Sequence, residues 1–169
     1  MATGNNVVEI IKELPPGTLY ATQDVRVGGS TPAESAEIFD FDAATIEYMD
    51  FLCRLGEAYA AGGLTFSICW MASSATTGVT RWGIAIRRLV DDAEDIDGSH
   101  TYDFNDVDAT TASATGEQAY DTIAFTDGAD MDSWAAGEFA IVRVRRNASH
   151  ANDTMTGDAE LISISGKET

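Results

Sequence analysis

Asp91, Asp92, Glu94, Asp95 and Asp97 crowd into the eight residues that end at Gly98. Hard oxygen ligands gathered on one short loop are what a calcium ion takes. Against the EF-hand pattern Asp95, Asp97 and Gly98 fall into place, but the first ligand position falls on Ala93 and no helical pattern flanks the run. The segment therefore reads as a solvated acidic loop, and no metal or other cofactor is assigned. His100 and His150 are the two histidines, both in polar surroundings and without the partner set a transition metal needs. No Gly-x-Ser-x-Gly occurs, and neither histidine stands at a distinctive spacing from an acid or a nucleophile, so hydrolytic triads have no support. With 28 acidic residues, some pair of carboxylates meets the separation for glycoside hydrolysis by chance. The expectation is a protein that is not an enzyme.

The remaining chemistry lies in the aromatic and cationic side chains. Trp70, Trp82 and Trp134 have faces on which sugar rings could stack, yet all three fall on core-facing positions of their segments. Arg87 and Arg88, with Arg143, Arg145 and Arg146, are the basic concentrations. On neighbouring strands Arg87, Arg143 and Arg145 would form a cationic stripe, paired either with acids of the same chain or across a subunit contact.

The elements that position these side chains have a period of two. Leu64, Phe66, Ile68 and Trp70 share one face, as do Trp82, Ile84 and Ile86 opposite Arg81 and Arg87, and Met49, Phe51, Cys53 and Leu55 opposite Asp50 and Arg54. Further extended segments are expected at 38–41, 102–104, 120–126, 139–146 and 159–165, with Leu64–Trp70 pairing the strand before it. Met131 and Trp134, three apart, suit one helical turn pinned to the core. The pattern predicts an all-β, antiparallel, jelly-roll-like sandwich of about eight strands over residues 36–169. The loops 91–98 and 105–116 read as polar connections. Residues 1–35 read as an extended N-terminal arm: Val7, Val8, Ile10, Ile11 and Leu14 form an apolar segment closed by Pro15-Pro16-Gly17, Leu19 and Tyr20 follow, and Gly28-Gly29-Ser30 resembles a linker.

Composition narrows the partners. The formal net charge is −18, of which residues 1–35 carry −2. Such a surface repels nucleic-acid phosphates. No apolar run approaches the 18 residues of a membrane span. Cys53 and Cys69, expected on neighbouring strands, read as reduced thiols, although a disulfide is open to them.

Three segments carry a family resemblance. Met131-Asp132-Ser133-Trp134-Ala135-Ala136-Gly137-Glu138, the arginine-bearing run to Arg146, and Asp153-Thr154-Met155-Thr156-Gly157-Asp158-Ala159-Glu160-Leu161 resemble the end of a jelly-roll domain in tailed-bacteriophage virion structural proteins. The stretch Trp70–Trp82 resembles the same family's two-tryptophan hairpin around a Ser/Thr-Gly turn. The resemblance covers roughly residues 36–165 and implies a capsid cement or decoration protein. Such a protein would be made in the host cytoplasm and carried on the outer virion surface, with the major capsid protein and a homo-trimer as partners. On that reading Val7, Val8, Ile10, Ile11, Leu14, Leu19, Tyr20, Arg87, Arg143 and Arg145 are the expected capsid or subunit contacts. A tail-fibre or baseplate domain is the second virion expectation, and a carbohydrate-binding β-sandwich module is the alternative from another class.

Overall fold

The computed structural model describes residues 4–169. Ten strands follow in chain order: β1 (Asn6–Glu13), β2 (Thr22–Val27), β3 (Ser35–Phe41), β4 (Glu47–Leu55), β5 (Leu64–Ala72), β6 (Val79–Leu89), β7 (Asn105–Thr110), β8 (Ala119–Phe125), β9 (Phe139–Arg146) and β10 (Ala159–Glu168). They form two layers, β7-β6-β9-β4-β1 and β2-β3-β10-β5-β8, and every ladder is antiparallel. The all-β, jelly-roll-like sandwich is thus present. Strand β10 belongs to both layers. It pairs with β5 along its length, with β3 from Ala159 to Leu161, and with β1 at Gly166 and Lys167.

The alternating apolar residues meet between the layers. Leu64, Phe66, Ile68 and Trp70 of β5 are fully buried, as are Met49, Cys53 and Leu55 of β4 and Trp82 and Ile84 of β6. Trp70 and Trp82 meet edge to face at 5.9 Å, and Phe41 meets Trp82 at 5.0 Å. Each large apolar side chain so placed stabilises the fold by about 1.5–3 kcal/mol. The turn at Ala129–Met131 buries Met131 and Trp134 as their spacing predicts, and the Trp134 Nε1–H donates to the Glu138 carbonyl at 3.0 Å.

Five expectations are corrected. Among the described residues there is no extended arm: β1 lies between β4 and β10, with Val7 buried and Val8 and Ile10 packed against the core, while β2 adds to β3. The Pro15-Pro16-Gly17 break does not release the segment; it carries the chain from one layer to the other. Strands β4 and β5 do not pair, because each turns its apolar face toward the other from opposite layers. For the same reason Cys53 and Cys69 are not on neighbouring strands; both are free thiols, and burial pushes that of Cys53 up to about 12. The Trp70–Trp82 stretch is likewise a connection between layers, not a hairpin.

The fifth correction concerns 102–110. Tyr102–Phe104 is irregular, and the strand is β7, inside the segment expected to be a polar loop. β7 hides Ala109 inward and presents Asp106 and Asp108 outward beside Arg81 and Arg145. One-sided alternation on a polar edge strand leaves little hydrophobic signal to read.

Candidate functional site

The arginine stripe is real in position and fully engaged in charge. On the outer face of β4, β9 and β6, Arg143 donates to both carboxylate oxygens of Asp50 at 2.7 Å. Its guanidinium stands 4.0 Å from the Tyr102 ring centre and 5.5 Å from that of Tyr48. Arg145 stands 3.8 Å over Phe104 and reaches both oxygens of Asp106 at 3.1 Å. Gly83 makes room for it, since a Cβ there would lie 2.9 Å from Arg145 Nε and overlap Asp106. Arg87 donates to the Asp95 carbonyl at 2.6 Å, with Glu94 at 3.9 Å. The acidic loop therefore contributes a backbone oxygen to Arg87, and Tyr102 and Phe104 cap its neighbours. Of the two pairings open to the stripe, the geometry is the intramolecular one.

Among the described residues no three His, Cys, Asp or Glu side chains are placed to hold a metal ion. The His100 ring packs edge-on against Tyr102 at 4.9 Å, and His150 Nδ1 accepts the Asn152 N–H at 3.1 Å. The three tryptophans are at most 2% exposed, which removes them as a sugar platform.

The C-terminal motif is built around one buried ion pair. Arg146, the inward-facing arginine of β9, donates to both oxygens of Asp153 at 3.1 and 2.9 Å and to the carbonyls of Met155 at 2.7 Å and Gly157 at 2.8 Å. Neither member of the pair reaches solvent. The loop 147–158 is thus wound around a guanidinium whose fork of donors is almost fully used.

What the surface does offer is a groove where the first residues of the chain cross between layers. The Leu14 N–H bonds the Asp50 carbonyl at 2.7 Å, and Pro15 and Pro16 turn the backbone away from β4. It returns at Leu19 and Ala21, which exchange hydrogen bonds with Tyr48 at 2.8 and 3.0 Å. Leu19, at φ 54°, sits in the left-handed region that side chains rarely occupy. The adjacent Tyr20 is left 52% exposed. Strand β2 then sets Gln23 opposite Phe39, whose ring is anchored edge-on to Phe51 at 6.1 Å. Glu13, Pro15, Pro16, Gly17, Tyr20, Ala21, Gln23 and Phe39 enclose about 510 Å³. The lining is an aromatic and proline surface with one carboxylate and one amide among it.

Of the expected contact residues, Tyr20 lines this groove, and Leu19 is exposed beside it. Ile11 is exposed and Leu14 half-buried, whereas Val7, Val8 and Ile10 belong to the core. Glu13, Gln23 and Phe39 were not singled out from sequence; only the docking of β2 on β3 brings them together. A second groove of about 690 Å³ runs between Leu52, Leu89 and Phe139, rimmed by Asp91, Asp92, Glu94 and Glu138.

No protein-family model matches this chain. No curated protein matches it either. Solved structures similar to it include a xylan-binding module, CBM15, at 11% identity over 98% of each chain, with a TM-score of 0.45. The family 11 carbohydrate-binding module from Clostridium thermocellum, in complex with a mixed-linked tetrasaccharide, is 12% identical over 97% of this chain and 96% of its own, with a TM-score of 0.42. Xyl-CBM35, in complex with a glucuronic-acid-containing disaccharide, is 14% identical over 91% of each chain, with a TM-score of 0.41. Likenesses of this strength do not fix a shared function.

Proposed function

We propose that this chain is a non-catalytic carbohydrate-binding β-sandwich module that takes a neutral polysaccharide in the groove beside Tyr20. The observation that carries this is the lining itself. A sugar ring has an apolar C–H face and a rim of hydroxyls, and here an exposed tyrosine, two prolines and Phe39 supply apolar surface while Glu13 and Gln23 supply hydrogen-bonding groups. The net charge of −18 disfavours uronate-rich or sulfated chains and leaves neutral ones. The test is affinity electrophoresis in gels containing xylan, β-1,4-galactan or mixed-linked β-glucan, the sugar types named for similar solved structures. At least one of these chains is expected to retard the wild type, with the retardation lost in Tyr20→Ala and kept in Tyr120→Ala, an exposed tyrosine of β8 outside the groove. No retardation by any of the three, or retardation indifferent to Tyr20→Ala, would overturn it.

A second reading is the virion one: a capsid decoration protein on the outer shell, bound to the major capsid protein. It is favoured by the way the segments of the resemblance fold as one connected piece. Thr154 and Met155 both donate backbone N–H groups to the Val79 carbonyl, Ser73 donates to the Asp158 carbonyl, and Asp153 accepts the Arg81 N–H. Cosedimentation of the full chain with undecorated phage capsids tests it, and a chain that stays in the supernatant would exclude it.

A further inference from the structure

Strand β2 is an outer strand of its layer, paired with β3 on one edge and, among the described residues, with no strand on the other. Val25 is 50% and Val27 63% exposed, an apolar pair on an open edge of the kind proteins ordinarily cover. In a chain so acidic, residues 22–27 carry one acid, Asp24, and one base, Arg26, and so no net charge. We infer that a second copy of this chain covers that edge, through antiparallel pairing of β2 with β2 about a two-fold axis at Val25.

Three features of the strand fit this occupant. The Val25 N–H is accepted by its own Asp24 carboxylate at 2.7 Å, so it points away from β3 and toward the open edge. Antiparallel ladders alternate, so Gln23 and Val27 present their backbone groups on the same side. A two-fold axis at Val25 sets Val25 opposite itself and Gln23 opposite Val27, which makes each a hydrogen-bonded pair with roughly six bonds in all. The same axis sets Asp24 of each copy opposite Arg26 of the other, in the non-hydrogen-bonded positions where side chains lie closest. Arg26 already holds Glu160 at 2.6 Å and keeps 28% of its side chain exposed, which leaves room for a second carboxylate. Asp24 exchanges its bond to the Val25 amide for that guanidinium. Any other register of the strand against itself breaks one of these matches.

The experiment is analytical ultracentrifugation of the full chain, with circular dichroism to show that each variant is folded. The wild type is expected to sediment as a concentration-dependent dimer. Val25→Pro deletes an N–H that β3 does not use and should sediment as a folded monomer. Asp24→Arg puts two arginines face to face and Arg26→Asp two aspartates, so each alone should weaken association roughly tenfold or more. Mixed, the two variants restore both opposite-charge pairs and should form a heterodimer. A wild type that is monomeric up to roughly 100 µM, an oligomer that persists in folded Val25→Pro, or mixed variants that stay apart would each overturn the inference.

Discussion

The most constrained side chain in the molecule is Arg146. Its charge is withdrawn from water and met by Asp153 and by backbone carbonyls from the far end of the loop it organises. Removing one member of such a pair leaves the other buried and uncompensated. Asp153→Ala is therefore expected to lower unfolding free energy by about 3–5 kcal/mol, measured by urea denaturation. A loss below about 1 kcal/mol would place the pair among surface ion pairs instead. Asp40 is the opposite case, a carboxylate short of partners. Burial, then repulsion from Asp158, Glu160, Asp24 and Glu47, pushes its pKa from 3.8 up to about 6, and its Oδ1 has no hydrogen-bond partner. Between those two values the folded state holds more proton than the unfolded one, so this group lowers stability as pH rises through that window. Asp40→Asn should then stabilise the protein by about 1 kcal/mol at neutral pH, allowing for solvent screening of a half-exposed group. The gain should vanish near pH 4. Urea midpoints across that range check this, and a pH-independent difference would remove charge as the cause.

At the scale of elements, β1 decides how the first 35 residues behave. A loosely attached arm could be removed without effect on the body. Strand β1 instead bonds β4 on one edge and β10 on the other, and β2 bonds β3, so deleting residues 1–35 strips three packed strands of a partner. The truncated chain is expected to lose its cooperative urea transition and near-ultraviolet dichroism; an unchanged midpoint would restore the arm. What misled the sequence reading here is also physical. Alternation in β4, β5, β6 and β9 is regular because these strands line the middle of the core, and their limits fall within a few residues of those expected. β1 carries a register shift between Ile10 and Lys12, which places two isoleucines in succession and blurs its two faces. β7 is too polar to stand out, and Pro15-Pro16-Gly17 looks the same whether it ends a free segment or turns a bound one. The groove was legible only through Tyr20, since its other polar groups come from strands whose neighbours in space no local pattern reveals.

At the scale of the molecule, a strongly anionic sandwich keeps its arginines occupied. Arg26, Arg81, Arg87, Arg88, Arg143, Arg145 and Arg146 each meet a carboxylate of the same chain. A groove with a single carboxylate and a strand edge with no net charge carry the two binding proposals. The cationic stripe was visible in the sequence while its use was not: spacing placed the arginines, but the acids that answer them arrive from other strands and loops. The double membership of β10 has a further consequence during synthesis. Strands β3 and β5 both await a segment that is translated after them, so the nascent chain cannot close the β2-β3-β10-β5-β8 layer as it emerges. The facing edges of β3 and β5 stay open until β10 has left the ribosome, and the sandwich then closes with that strand entering between partners already made.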